Sequence, residues 1–161
     1  FDIVRRKTAS LIATGCKLGA LTTTRSEQDY KSMSSYGYNL GMAYQIRDDL
    51  FDLLGNKSYT GKDSGIDVKK NTLTLPIIHS LQSLPRSESH ILLKLVKMKH
   101  KSKDTLTEII QLVKKGDGFV YAQEKIDHYT QSAIESLSVY TDSVYKNSMI
   151  NLAQFNRTRV H

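Results

Sequence analysis

Three aspartates, Asp48, Asp49 and Asp52, lie within five consecutive positions of the sequence. If the segment is helical, their carboxylates and the amide of Gln45 share an arc of about 100° on one face. Carboxylates this close repel one another, so a cation is expected to offset their charge. Hard oxygen ligands suit Mg²⁺, which commonly also contacts a substrate phosphate. The spacing therefore indicates a magnesium site or, alternatively, an acidic face in contact with solvent.

The residues around the aspartates favour the magnesium site. The segment is otherwise apolar, as expected of a buried helix, with Leu40, Ala43, Ile46, Leu50, Phe51, Leu53 and Leu54. The face that carries the aspartates continues back through Gly41 and Tyr38, a composition more typical of a cavity wall than of a wet surface. We therefore predict that this helix lines a cavity.

Lys7 and Thr8 form a second polar position, on the first predicted helix. They fall within an apolar stripe made by Val4, Leu11, Gly15 and Leu18. Lysine is rarely buried without a partner, so we expect Lys7 to meet an anionic group. The alternative is that its stem carries the ammonium out to the edge of the stripe.

A glycine-flanked lysine follows the acidic segment. Gly61-Lys62 precedes Gly65 and Asp67, and Lys62 lies ten residues after Asp52. Glycines let the backbone and the ammonium close on a phosphate. Such a pattern on its own is usually a turn, and its place after the acidic helix makes it a candidate phosphate site.

Apolar spacing of three and four residues predicts an all-α chain throughout. A capping signal at Ser26 to Asp29 predicts the start of the helix that carries the aspartates and ends at Leu54. Residues 55–72 are predicted to form a loop. The other predicted helices span about 2–22, a short segment from Leu75-Pro76, 85–98, a segment capped by Asp104 that ends at Lys115, and 119–147.

Composition limits the class of protein. The chain has 161 residues, a formal net charge of +7 and a single cysteine, Cys16, which fits one domain in a reducing, cytoplasmic setting. No apolar run is long enough to span a membrane. The densest basic run, Lys94–Lys103, has no aromatic residue to stack on a base, so we interpret it as a helix end and loop and expect no nucleic-acid partner. The start at Phe1, inside a helical pattern, predicts that the chain is part of a longer protein.

Four motifs in order are similar to the second half of the trans-polyprenyl diphosphate synthases. They are Lys7-Thr8, then Tyr44-Gln45 with the three aspartates, then the Gly61-Lys62 loop, then Thr74-Leu75-Pro76. The similarity is strong over about the first 80 residues, and Arg5 to Thr8 resembles synthases of geranylgeranyl to heptaprenyl products. The resemblance implies a bundle of long antiparallel helices around a deep apolar cavity, of which residues 1–161 form the C-terminal half.

The resemblance also implies an activity and residue roles. The family condenses an allylic diphosphate with isopentenyl diphosphate to make a linear isoprenoid diphosphate. Asp48, Asp49 and Asp52 would hold Mg²⁺ against the allylic diphosphate, and Lys7 and Lys62 would neutralise it. Thr8 and Gln45 would point oxygen dipoles at the carbocation, and a homodimer is expected.

Two departures from the family pattern stand out. Asn71-Thr72 replaces a Gly-Lys pair, although Lys69 and Lys70 lie close by in the sequence. The first aspartate-rich motif, which in the family lies upstream, does not occur in this sequence. We therefore expect the missing N-terminal half as a partner. We also predict that the chain alone is inactive. The main alternative is a non-catalytic regulatory subunit of a heteromeric prenyl synthase; a terpene cyclase would not be expected to carry the Gly61-Lys62 loop followed by Thr-Leu-Pro.

Overall fold

The computed structural model of the chain describes residues 2–24, 26–54 and 65–158. Within these ranges the protein is built from helices and contains no strand, which confirms the predicted all-α class. The elements are α1 (Asp2–Val4), a π-helical turn (Arg5–Ala9), α2 (Ser10–Leu21), α3 (Glu27–Leu54), α4 (Ile66–Lys69), α5 (Leu75–Ser83), α6 (Arg86–Lys97), α7 (Lys103–Lys115), α8 (Gly118–Ser136) and α9 (Val144–Thr158).

Helix α3, which carries Gln45 and the aspartates, begins at the predicted cap. The Ser26 hydroxyl accepts the backbone N–H of Asp29 at 3.3 Å. Glu27 and Asp29 lie in the first turn, where negative charge is favoured by the helix dipole. The cap and the dipole together fix where this helix starts.

The chain divides into two compact units, and α3 and α8 contribute residues to both. The first unit comprises Phe1–Arg47 and Lys125–Val160. Its core is formed by Tyr36, Ala133 and Leu137, with Cys16, Met33, Leu40, Tyr140, Met149 and Ile150 packed around them. The Tyr36 hydroxyl donates to the carbonyl oxygen of Met149 at 2.9 Å, so a polar group in this core is satisfied by the last helix.

The second unit contains residues 48–124. Its core joins the end of α3 to helices α4 to α7 through Leu53, Val68, Ile77, Leu84, Leu92, Val96, Ile109 and Val113. Gly118 allows the start of α8 to pack directly against α5, because a Cβ there would lie 2.3 Å from the carbonyl oxygen of Pro76. Thr74 precedes α5 in an extended conformation and Pro76 lies in its first turn, as the Thr-Leu-Pro sequence predicts.

Two predicted boundaries are wrong. The cap of α7 is Ser102, whose hydroxyl accepts the N–H of Thr105 at 3.1 Å; Asp104 lies inside the helix. The predicted helix 119–147 ends at Ser136, because Leu137 and Tyr140 turn into the core of the first unit. Helix α9 then starts anew at Val144, where the Ser143 hydroxyl accepts the N–H of Lys146 at 3.1 Å.

Other expectations concern the loop, the basic run and the membrane. Of the predicted loop 55–72, residues 55–64 lie outside the described ranges, and Ile66–Lys69 forms the short helix α4. The basic run lies at the end of α6 and before α7, as predicted. Among the described helices, none combines the length and the apolar character needed to cross a membrane.

Candidate active site

The π-helical turn Arg5–Ala9 carries Lys7 and Thr8, and it is continuous with α2 because the N–H of Ser10 donates to the carbonyl oxygen of Arg5. Such turns contain one more residue than an α-turn and are frequent at functional sites. Here the turn leaves Lys7 exposed and Thr8 half-buried, and it buries Ala9 completely. Three consecutive side chains of the turn therefore lie in solvent, at the protein surface boundary and in the core, respectively.

Thr8 and Gln45 are brought into direct contact within the first unit. The Thr8 hydroxyl donates to the Oε1 atom of Gln45 at 2.6 Å, so both residues predicted from the motifs belong to one polar pair. The hydroxyl proton is directed to Gln45, and the Thr8 oxygen keeps its lone pairs as acceptors. The pair is thus rich in oxygen dipoles.

Close packing of two helices positions this pair. A Cβ on Gly41 would lie 2.6 Å from the Cα of Ala9, and one on Gly37 would lie 2.7 Å from the carbonyl oxygen of Ile12. Only glycine permits an approach this close. The sequence predicts that Gly41 lies in a cavity wall. In the structure Ala9 packs directly against Gly41, so no cavity lies at that point. Motif reasoning missed Gly37 and Ala9, and their spacing carries no signal for a contact so distant in sequence.

Tyr38 lines an open groove on the surface, not the enclosed cavity that the sequence predicts. An open groove of about 460 Å³ lies between α2 and α3, and its walls include Ala13, Lys17, Ser34 and Tyr38. The groove runs along the α3 face that also carries Gln45, on the side towards the helix N-terminus.

The apolar stripe around Lys7 is exposed to solvent in the part of the chain that the structure describes. Leu11 and Leu18 are 73% and 56% exposed, and Lys7 is exposed beside them. The first unit packs instead through the opposite side of the helix, where Ala9, Ala13 and Ala20 are buried. Small residues on that side bring α2 close to its neighbours and leave the leucines outside.

The aspartates of α3 lie in the second unit. Asp49 is buried, with 9% of its surface exposed, and Asp48 and Asp52 are half-buried. The Asp52 carboxylate accepts the backbone N–H groups of Ile66 at 2.9 Å and of Asp67 at 2.8 Å. The Asp52 carbonyl oxygen also accepts the N–H of Gly65 at 2.7 Å. Asp52 therefore holds the start of α4 against the end of α3.

Burial raises the pKa of Asp52, and the two backbone N–H groups counteract part of that effect. The Asp67 carboxylate raises the pKa further, whereas Lys69 lowers it. Over the described ranges, no group of three or more His, Cys, Asp or Glu side chains is arranged to hold a metal ion. Lys62, the predicted phosphate-binding lysine, lies outside the described residues.

Comparison with known proteins identifies the family of this chain. The model of the polyprenyl synthetase family matches residues 1–113. The chain therefore belongs to the polyprenyl synthetase family. The fold agrees: a crystal structure of geranylgeranyl pyrophosphate synthetase from Pyrococcus horikoshii Ot3 matches with a TM-score of 0.90 and 30% identity, over 98% of this chain and 47% of that one.

Two further relatives extend the comparison. Heptaprenyl diphosphate synthase component 2 of Bacillus subtilis is 31% identical over 152 residues, which are 94% of this chain and 42% of the relative. A geranylgeranyl pyrophosphate synthase from Corynebacterium glutamicum, crystallised with calcium and isoprenyl diphosphate, matches with a TM-score of 0.85 and 26% identity, over 98% of this chain and 49% of that one. The chain thus spans less than half the length of these relatives.

Proposed function

We propose that the chain forms the C-terminal half of a trans-prenyltransferase, which condenses an allylic diphosphate with isopentenyl diphosphate. The proposal rests on the order of the polar residues along α3, since the chain is a member of this family. That helix presents Gln45, hydrogen-bonded to Thr8, and then three aspartates in the following turns. An oxygen-rich neutral pair followed by carboxylates suits a reaction that separates a cation from a departing anion.

Asp48, Asp49 and Asp52 fit a hard divalent cation by their donor chemistry. Mg²⁺ is usually held by one or two carboxylates together with substrate phosphates. A carboxylate as buried as Asp49 needs a compensating cation or hydrogen bonds. When bound, Mg²⁺ would offset the negative charge of the diphosphate. The calcium in the Corynebacterium glutamicum structure supports the use of a divalent cation.

Lys7 and Lys62 are proposed to bind the diphosphate. Lys7 is exposed on the π-helical turn directly before Thr8, so its ammonium can reach an anion in solution. Lysine acts on a phosphate as a compact point charge, without demanding the bidentate geometry of arginine. The two lysines would therefore stabilise the diphosphate as its carbon–oxygen bond breaks.

Thr8 and Gln45 are proposed to stabilise the allylic cation. Their oxygen dipoles carry no full charge, so they stabilise the cation without capturing it covalently as a carboxylate would. The double bond of isopentenyl diphosphate then attacks the cation and forms the new carbon–carbon bond. The adduct loses a proton to the released pyrophosphate, which leaves a linear diphosphate one isoprenoid unit longer.

A prenyl transfer assay tests this proposal. The assay uses a complete synthase that contains this chain. The enzyme is incubated with isopentenyl diphosphate, farnesyl diphosphate and Mg²⁺, and the mass of the product is measured. We expect extension that EDTA abolishes and that Asp48→Ala reduces by about 100-fold or more. Asp104→Ala, which changes an exposed acid of α7, serves as the matched control.

A folded, complete protein that extends no allylic primer would overturn the assignment and favour the non-catalytic regulatory subunit. The 161 residues alone are expected to be inactive, because the family's first aspartate-rich motif is not in the sequence. The homodimer and the cytoplasmic location stay predictions. Light scattering of the complete protein would test the homodimer.

A further inference from the structure

Two lysine-rich segments meet on one surface of the second unit. One is the connection between α6 and α7, residues 97–103, and the other is the end of α4 with the turn that follows it, residues 69–71. The ammonium of Lys101 joins them, because it donates to Oδ1 of Asn71 and to the carbonyl oxygen of Met98, each at 2.7 Å. We call this surface the basic patch. Its lysines are Lys69, Lys70, Lys97, Lys99, Lys101 and Lys103.

The backbone around Asn71 gives the patch a defined shape. Asn71 takes a left-handed conformation, with a φ of 61°, directly after α4. Its N–H donates to the carbonyl oxygen of Val68 at 2.9 Å, and the N–H of Thr72 donates to that of Asp67 at 2.8 Å. This pair of bonds is the Schellman arrangement that ends many helices. The turn, and the Lys101 side chain bonded to it, therefore hold the two segments in a defined arrangement.

The positive charge of the patch is not neutralised by ion pairs within the described ranges. Lys101 is half-buried, and the other five lysines are exposed. None of the six forms an ion pair with an acidic side chain among the described residues. Residues 97–103 contain no Asp or Glu, and the acids that border the two segments are Asp67 and Asp104. Like charges this close repel one another, so an anionic partner would stabilise the surface.

Apolar side chains are exposed beside these lysines. Met98, in the connection between α6 and α7, is 40% exposed, and Leu73, just after the turn that ends α4, is 41% exposed. Lysines with exposed apolar side chains are typical of surfaces that lie on anionic lipids, where the ammonium groups meet the headgroups and the apolar side chains enter between them. Residues 69–73 and 97–103 contain no Phe, Tyr, Trp or Arg, the residues that most often stack on bases or bind base edges. The composition therefore favours a lipid surface over nucleic acid.

We propose that the basic patch binds the surface of a membrane that contains anionic phospholipids, as a peripheral contact. About four to eight basic residues are typical of such sites, and each one near the surface adds to the attraction. The ammonium groups would contact lipid phosphates, and Met98 would enter between the headgroups. Helix α4 connects the patch to the candidate metal residues, because it begins at the Asp52 carboxylate and ends at Lys69. A membrane at the patch would lie beside the end of α3, and this contact does not depend on prenyl transfer.

Vesicle binding by the 161-residue chain tests the proposal without any substrate. The chain is mixed with vesicles of phosphatidylglycerol and phosphatidylcholine in equal parts, or of phosphatidylcholine alone, and the bound fraction is measured by co-sedimentation. We expect binding to the anionic vesicles to be about tenfold tighter, or more, than binding to the neutral ones. Because salt screens exposed charges, the difference should shrink as NaCl is raised from about 0.05 M to about 0.5 M.

Charge reversal decides whether the patch makes this contact. Lys99→Glu combined with Lys103→Glu should weaken binding to anionic vesicles about tenfold or more. The matched control is Lys17→Glu combined with Lys114→Glu, which changes the net charge equally at two exposed lysines outside the patch and should weaken binding by less than about threefold. Met98→Ser should weaken binding by about threefold, whereas Lys99→Arg should leave it unchanged. Each substituted residue is exposed, so the variants should melt within about 2 °C of the parent chain.

Three results would overturn the proposal. They are equal binding to anionic and neutral vesicles, anionic binding that the Lys99→Glu and Lys103→Glu combination weakens no more than the control does, and the absence of vesicle binding by the folded chain. A random-sequence DNA duplex is the competing probe. Binding to the duplex but not to anionic vesicles, abolished by the same two substitutions, would assign the patch to nucleic acid. Failure of the proposed function is separate, because a chain that binds vesicles through the patch while a complete synthase transfers no prenyl group keeps the membrane contact and rejects the activity.

Discussion

The carboxylate of Asp52 accepts the backbone N–H of Asp67 at 2.8 Å, and its second oxygen accepts the N–H of Ile66 at 2.9 Å. The last aspartate of the acidic motif thereby anchors the start of α4 to the end of α3. Its two partners lie just after the glycine-flanked lysine in the sequence. Asp52 therefore has a structural role in addition to the proposed metal-binding role.

Replacement of Asp52 should loosen this junction. Asp52→Ala removes the acceptor of two backbone N–H groups, and we expect amide hydrogen exchange at Ile66 and Asp67 to rise by about tenfold to 100-fold. Asp52→Asn should have a smaller effect, because its amide oxygen keeps one acceptor and burial disfavours the charge. Glu124→Gln, at an exposed acid of α8, is the control. Unchanged protection in Asp52→Ala would contradict the anchoring role.

The hydrogen bond between Thr8 and Gln45 makes a second prediction. Thr8→Val keeps the shape of the side chain and removes the donor to Gln45, so the unfolding free energy should fall by about 1 kcal/mol. Thr8→Ser keeps the hydroxyl and should change it by less than about 0.5 kcal/mol. Urea denaturation of the chain measures both.

The same pair separates a structural role from a catalytic one. In a complete synthase, Thr8→Val should lower kcat by about tenfold to 100-fold with little change in KM, because the pair acts on the cation rather than on substrate binding. Thr8→Ser should retain most of the rate. Equal rates for the two variants would reject a role of the Thr8 hydroxyl in the reaction.

The glycines of α2 and α3 should respond in opposite directions to alanine. Gly15→Ala adds a methyl group in open space and improves helix propensity, so the unfolding free energy of the chain should rise by about 0.5–1 kcal/mol. Gly37→Ala places its Cβ 2.7 Å from the carbonyl oxygen of Ile12, so stability should fall by about 1–3 kcal/mol. Melting temperatures of the two variants give the comparison. A stable Gly37→Ala variant would show that the helices can separate without cost.

Tyr36 predicts how stability changes at alkaline pH. Burial, with a smaller contribution from Cys16, raises the pKa of its hydroxyl from 10.0 to about 12. The folded protein thus keeps the proton to a higher pH than the unfolded chain does. The stabilisation is complete below pH 10 and is lost as the pH rises towards 12. Chemical denaturation of Tyr36→Phe across this range should show a shallower decline than the parent chain, and parallel curves would contradict the burial effect.

Sequence reasoning predicted the helical class, the start of α3 and the order of the candidate residues. Those features depend on local signals: the three–four periodicity, the Ser26 cap and the spacing of the motifs. The break between α8 and α9 was missed because it contains no glycine or proline. It depends on the burial of Leu137 and Tyr140 in a core assembled from distant segments.

The geometry of the candidate site could not be predicted, because it depends on contacts between residues that are distant in sequence. Neither the direct bond between Thr8 and Gln45 nor the fit of Ala9 against Gly41 can be inferred from periodicity. The stripe of Leu11 and Leu18 was correctly found as apolar, but its pattern does not say whether this chain or another element covers it. Asp52 was assigned only to metal binding, because its bonds to Ile66 and Asp67 depend on the path of the backbone after α3.

The π-helical turn at Arg5–Ala9 has a consequence for related genes. A π-turn arises when one residue is inserted into an α-helix, and deletion of one residue would restore regular α-helical winding. The deletion would rotate everything before it by about 100° relative to α2. Alignments of this family should therefore allow a single-residue gap here, and homologues that lack the extra residue should have the segment before the turn rotated about the helix axis.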